Sequence, residues 1–294
     1  MKDLLIRSIS GIAFITIIIA AILAGPLWYA LLFLIVIAMM TSEYLDLTIG
    51  RNNILTKALT VTAAVSLFAV SFFIEYSAIS FYYLLICTIP LFAIFITNLY
   101  KKGYNTHRFR DEEHKEGRID NGYERFPFAI TAVIYIALPF SMCNIILFND
   151  VEEYNSRGYS PYPLLFMFLV LWLNDVGAYC IGSTLGKRLG GRLFPSISPK
   201  KSWAGFIGGV VCGVIAAVTM SFIEIFEINT TKAIIVGIII CIFGVWGDLT
   251  ESQLKRNFGV KDSGRIMPGH GGMLDRFDAA LLAFPAAALI MLLI

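Results

Sequence analysis

Apolar residues in this chain run in long unbroken blocks instead of the narrow stripes of a soluble helix. Blocks of about 17–25 residues are long enough to cross the hydrocarbon core of a bilayer. Nine of them lie near 8–24, 27–47, 58–75, 81–99, 128–148, 163–181, 203–223, 232–248 and 278–294. They predict an all-α, polytopic integral membrane protein of about nine transmembrane helices. Only Gly25-Pro26 parts the first two blocks. Lys2 and Arg7 before a block ending at Ala24-Gly25-Pro26 imitate a secretory signal. That block is long enough to span and another follows at once, so a retained first helix is expected.

The polar connections fix sidedness. With nine spans, 21 of the 23 Lys/Arg fall on the side of the N-terminus, and the other side keeps only Arg157 and Lys232. The positive-inside rule then puts the N-terminus and every basic loop in the cytoplasm, with Ile294 outside. The expected organisation is a single membrane domain. Residues 1–127 supply helices one to four and a basic cytoplasmic loop, 100–127. Residues 128–294 supply helices five to nine. The loop from Tyr100 to Pro127 mixes both charges, contains His107 and His114, and reads as a solvated segment or one lying on an anionic surface.

Composition agrees. The chain is 57% hydrophobic and 15% charged, with a mean hydropathy of +0.75. A soluble domain of 294 residues carries nearer a quarter charged residues. The net charge of +2 gives no reason to expect nucleic acid. The cysteines, Cys87, Cys143, Cys180, Cys212 and Cys241, all sit in apolar blocks without disulfide or zinc spacing.

Residues 248–278 break the pattern, packing charges and a His-Gly-Gly turn between two apolar blocks. Asp248, Glu251, Ser252 and Lys255 stand at i, i+3, i+4 and i+7, one face of a helix if the preceding block simply continues. Asp275 and Asp278 would share a face of the next helix. Carboxylates from two helix ends, joined by a basic, glycine-rich loop, can cradle a divalent metal and a polyphosphate. His270, in Pro268-Gly269-His270-Gly271-Gly272, either caps that helix or approaches a ligand.

Three further features face the same side. Asn174-Asp175 lies roughly 10 Å below the surface at 1.5 Å per residue, and an acid there needs a partner, a metal or a wet cavity. Ser198-Pro199-Lys200-Lys201-Ser202 immediately precedes the seventh block, so two ammonium groups at a helix start invite a phosphate. Gly205, Gly208, Gly209 and Gly213 follow and suit a close helix crossing or a dimer seam, which is the ground for expecting a homodimer. Glu43 either lines the cavity or snorkels to water.

Ser252-x-Leu254-Lys255-Arg256-x4-Lys261-Asp262-x-Gly264, followed by Pro268-x-His270-Gly271-Gly272-Met273-x-Asp275-Arg276-Phe277-Asp278, resembles the signature of the phosphatidate cytidylyltransferases, or CDP-diacylglycerol synthases. Ser198 to Gly209 and Asn174-Asp175-x-Gly177-Ala178-Tyr179 are similar to two further blocks of that family. The resemblance is dense over about residues 170–278. Met267 departs from the family's usual residue before the proline, a nearly volume-neutral change. The resemblance implies that CTP and phosphatidic acid give CDP-diacylglycerol and pyrophosphate with Mg²⁺, in a bacterial-type inner membrane. Whether a monovalent cation accompanies Mg²⁺ stays open.

On that reading Asp248 and Asp275 hold metal, with Asp278 and Glu251 as further ligands. Lys255, Arg256 and Arg276 grip the triphosphate or the pyrophosphate. Lys200, Lys201 and Ser198 meet the phosphatidate headgroup or the nucleotide. Ser252, Lys261, Asp262 and His270 complete the substrate site, and Asp175 closes its floor. Two rivals remain. A CTP-dependent lipid kinase would move the γ-phosphate instead. An ion-coupled transporter would need polar groups near the midplane of several spans, whereas these spans carry little beyond Asn144 and Asn174-Asp175.

Overall fold

The computed structural model describes residues 2–99, 125–151, 156–186, 191–264, 266 and 271–294. The helices are α1 (Lys2–Leu23), α2 (Pro26–Thr48), α3 (Ile54–Ser77), α4 (Thr88–Leu99), α5 (Arg125–Ala132), α6 (Leu138–Leu147), α7 (Tyr162–Leu185), α8 (Trp203–Ser221), α9 (Thr230–Asn257) and α10 (Leu274–Leu293). Among the described residues, seven helical segments are long and apolar enough to cross a membrane, with α5 and α6 counted as one. Two shorter apolar helices, Ile9–Leu23 and Phe81–Thr97, fall where the first and fourth blocks were read. The loop 100–127 lies almost wholly outside the described residues, and so does His270.

Two antiparallel hairpins accompany the helices. Strands β1 (Phe148–Val151) and β2 (Ser156–Tyr159) pair at one end of the bundle. Strands β3 (Arg192–Phe194) and β4 (Ser198–Ser202) pair at the other, between α7 and α8.

Aromatic side chains from four helices, α2, α6, α7 and α10, meet at the centre of the bundle. Ring centroids lie 5.1 Å apart for Phe33 and Phe140, 5.6 Å for Phe140 and Phe277, and 4.7 Å for Phe168 and Phe284. Most of these pairs meet edge to face, which suits the ring quadrupoles. The glycines of α8 face inward. A Cβ at Gly208 would strike Ile181, one at Gly209 would strike Asn174, and one at Gly213 would strike Cys241. The small residues therefore seat α8 against α7 and α9 of the same chain, a packing role that does not call on a second copy.

Several polar groups inside the bundle pair with one another. Tyr29 donates to Asn144 Oδ1 at 2.8 Å, and Asn144 Nδ2 donates to Ser71 Oγ at 2.7 Å. Asn144 is thus a clamp between α2, α3 and α6. Lys232 donates to the Met291 carbonyl at 2.7 Å, placing a cation at the C-terminus of α10 where the helix dipole favours one.

Between α5 and α6 the chain makes a π turn, Val133–Ala137. Its cause is local. Pro139 has no N–H to give the carbonyl four residues back, which belongs to Tyr135, so the ladder loosens there. Replacing Tyr29 with Phe leaves Asn144 Oδ1 buried without its donor. The expected loss is about 0.5–1.5 kcal/mol in reversible detergent unfolding, and an unchanged midpoint would count against the clamp.

Candidate active site

The C-terminal ends of α2, α7 and α9, the starts of α8 and α10 and the β3–β4 hairpin all gather at one end of the bundle. Helix α9 runs unbroken to Asn257, so the face read from sequence exists. Ser252 donates to Asp248 at 3.2 Å, and Lys255 forms an ion pair with Glu251 one turn back.

Two ion-paired groups stand along that face. Nearer the hairpin, Asp248 pairs with Lys201 at 2.5 Å. Asp175 lines the same cavity as Asp248, Lys200 and Lys201. Nearer the connecting loop, Lys255 is buried between Glu251 and Asp275, with Nζ 2.6 Å from Asp275 Oδ1. Asp278 lies within electrostatic reach of Asp248, Glu251 and Asp175, which ties the two groups together.

Asp275 also organises the loop before it. Its Oδ2 accepts from Ser263 N at 2.9 Å, Ser263 Oγ at 3.0 Å and Gly272 N at 2.7 Å. Glu43, buried at the end of α2, does the same from the opposite side. It accepts from Met273 N at 3.0 Å, Leu274 N at 2.9 Å and Ser263 Oγ at 3.2 Å. The first amides of a helix have no partner within it, and a carboxylate there also meets the positive end of the dipole. Helix α10 is therefore capped by a side chain more than two hundred residues away in sequence. Glu43 is thus no snorkelling acid; it lines a cavity of about 790 Å³ with Asp46, Ser263 and Gly264, whereas Asp175 and Asp248 line another.

The glycines of the His-Gly-Gly turn follow from this arrangement. Gly271 has φ +86°, and a Cβ there would press on Asp275. A Cβ at Gly272 or Gly264 would collide with Glu43.

The remaining residues from the sequence reading are placed as follows. Lys200 and Lys201 belong to strand β4, so they reach the site from a hairpin and not from the first turn of α8. Ser202 is the N-cap of α8, its Oγ accepting from Gly205 N at 3.1 Å. Ser198 opens β4 opposite Phe194 and does not line the cavity of Lys200 and Lys201. Arg256 is exposed and donates to the Val260 carbonyl at 3.3 Å. Lys261, Asp262 and Arg276 are exposed, and Arg276 is close enough to Asp175 to act on its charge.

Sequence reasoning passed over Tyr135 and Ser263. Ser263 bonds to both Glu43 and Asp275. Tyr135 sits in the π turn with its hydroxyl buried, within electrostatic reach of Asp278, Glu251 and Asp248. A tyrosine beside a helix irregularity, four residues before a proline, was the only available signal.

The donor set suits a hard divalent cation, since it is all oxygen and rich in carboxylate. Glu251 Oε1 and the Tyr135 hydroxyl are buried among these acids with no hydrogen-bond partner in the structure. Among the described residues no three His, Cys, Asp or Glu side chains already meet at ligating distance. Lysines hold the carboxylates instead: Lys201 holds Asp248, and Lys255 stands between Glu251 and Asp275.

The profile of the Cytidylyltransferase family matches residues 5–294. Phosphatidate cytidylyltransferase of Staphylococcus haemolyticus (strain JCSC1435) is 44% identical over 158 residues, covering 54% of this chain and 56% of that protein. Those of Staphylococcus saprophyticus subsp. saprophyticus and Staphylococcus aureus (strain COL) are 42% and 41% identical over the same coverage. The chain thus spans about half the length of the curated relatives it matches.

Glu43→Ala strips α10 of its cap and leaves Ser263 without one acceptor, a predicted cost of about 2–3 kcal/mol. Gly272→Ala should act similarly by pushing Glu43 aside. Both should speed proteolytic cutting within 259–272, and wild-type cutting rates in both would refute the cap.

Proposed function

The chain belongs to the cytidylyltransferase family, and we propose that it transfers the cytidylyl group of CTP to phosphatidic acid, giving CDP-diacylglycerol and pyrophosphate. The observation that carries this reading is the carboxylate–lysine cluster built from α7, β4, α9 and α10 at one end of an apolar bundle. Both reactants are anions, so a site for them has to neutralise charge before they can meet, and the rest is positioning.

A phosphate oxygen of the lipid attacks the α-phosphorus of CTP. The bond from that phosphorus to the bridging oxygen of the β-phosphate breaks, and pyrophosphate leaves. The lipid phosphate is already an oxyanion near neutral pH, so no strong general base is required. Asp248, Glu251 and Asp278 would hold Mg²⁺. When bound, Mg²⁺ supplies charge neutralisation to the triphosphate and the leaving group. Asp275 takes a different part from the one its sequence position suggested. Four donors already engage its carboxylate, so its role is to fix Lys255 and the 262–272 loop beside the triphosphate. Lys255 and Arg276 face the phosphates, and Arg256 steadies the end of α9.

With the two shorter apolar helices counted as spans, the charge asymmetry of the sequence supports a location of this end of the bundle at the cytoplasmic face of a bacterial inner membrane. CTP then arrives from water while the lipid stays in the inner leaflet.

Asp248→Asn should lower turnover by a factor on the order of 10²–10³, the size of a lost electrostatic contact to the transition state, while the protein stays folded and membrane-inserted. Purified protein given phosphatidate and CTP labelled at the α-phosphorus should place label in lipid, and a chelator should stop it. Transfer of label from the γ-position instead would establish a kinase. Wild-type turnover in Asp248→Asn would remove this residue from the metal site.

A further inference from the structure

We propose that the cavity bounded by α7, α8, α9 and the β3–β4 hairpin takes the phosphomonoester headgroup of the lipid, and that Lys201 exchanges Asp248 for the lipid phosphate when it loads. This rests on the cytidylyltransferase reading and decides which substrate the two hairpin lysines serve.

The cavity holds about 420 Å³. Its lining is of two kinds. Lys200, Lys201, Asp175 and Asp248 supply charge, and Ala178, Tyr179, Leu193, Phe206 and Val245 supply apolar surface. Tyr179 is 76% exposed on the outer side of α7, and Val176 and Ile207 beside it are 57% and 58% exposed. On membrane-spanning helices, exposed apolar surface faces acyl chains. A nucleotide gains nothing from such walls, whereas a diacylglycerol phosphate needs them, since its chains cannot leave the bilayer.

The charges fit a dianion. Lys200 lines the cavity and is exposed. Lys201 already neutralises Asp248 at 2.5 Å on a strand, not on a rigid helix. An arriving phosphate competes for Lys201 with more charge than a single carboxylate. Once Lys201 turns to it, Asp248 is released toward Glu251 and Asp278, where the nucleotide and its cation are held. The lysine therefore couples the two substrates: the lipid prepares the acid that the nucleotide's cation needs. By linkage, each substrate should tighten the other by the same factor.

The test uses the full chain in detergent. Dioctanoyl phosphatidate, dioctanoyl phosphatidylglycerol and inorganic phosphate are titrated calorimetrically, as is α,β-methylene CTP with Mg²⁺, with and without phosphatidate. Wild type should bind phosphatidate more tightly than phosphatidylglycerol or inorganic phosphate. It should also bind the CTP analogue at least ~5-fold more tightly when phosphatidate is present, the lower end of ordinary site-to-site coupling. Lys200→Gln, at an exposed position whose loss should leave the fold intact, should weaken phosphatidate about 10-fold and spare the CTP analogue. Lys201→Gln should abolish the dependence of analogue binding on phosphatidate. Loss of nucleotide affinity with retained lipid affinity in Lys200→Gln would overturn the assignment. So would inorganic phosphate binding as tightly as phosphatidate, or coupling that survives Lys201→Gln. None of these readouts requires turnover, so a failure here is separable from a failure to form CDP-lipid.

Discussion

A charge beside hydrocarbon costs several kcal/mol unless it is paired, hydrogen-bonded or wet. At least five carboxylates gather at one end of this bundle, and the structure answers each differently. Glu43 and Asp275 are answered by backbone amides of the loop and helix start that they hold. Asp248 and Glu251 are answered by lysines, one from a hairpin and one from the next turn of the same helix. Asp278 faces other acids. Asp275 draws on both kinds of partner, since the buried Lys255 that holds Glu251 also reaches its Oδ1 at 2.6 Å.

Much of this was legible in the chain. The lengths of the apolar blocks gave seven spans and two shorter apolar helices among the described residues, and the i, i+4 spacing gave the face with Asp248, Ser252 and Lys255, because helical geometry is local. What stayed hidden depended on contacts between distant segments. Glu43 could not be told from a snorkelling acid, since its partners lie 220 to 231 residues away. The hairpin carrying Lys200 and Lys201 read as a helix approach, because a five-residue strand with a proline and two lysines has no alternating pattern to show. Asp275 looked like a ligand equal to Asp248. The three donors on its Oδ2, two from Ser263 and one from Gly272, depend on how the loop folds back and could not be read from spacing. Tyr135 was invisible, because nothing in a single apolar span announces a π turn except the proline after it.

The glycines show the same distinction in another form. Those of α8 read equally well as an intermolecular or an intramolecular seam. The structure uses them within the chain, where α7 and α8 approach closely enough for a Cβ to collide. The tight pairing also sets α7 and α8 side by side along the cavity.

The reach of Glu43 across the sequence carries a last consequence. The segment bearing nearly all the recognisable chemistry does not own the anion that starts its final helix; it borrows it from the second helix of the chain. The halves are thus joined by a shared buried charge as well as by shape. A C-terminal fragment expressed by itself would begin α10 with bare amides, and could regain its cap only if the missing half were supplied beside it in the same bilayer.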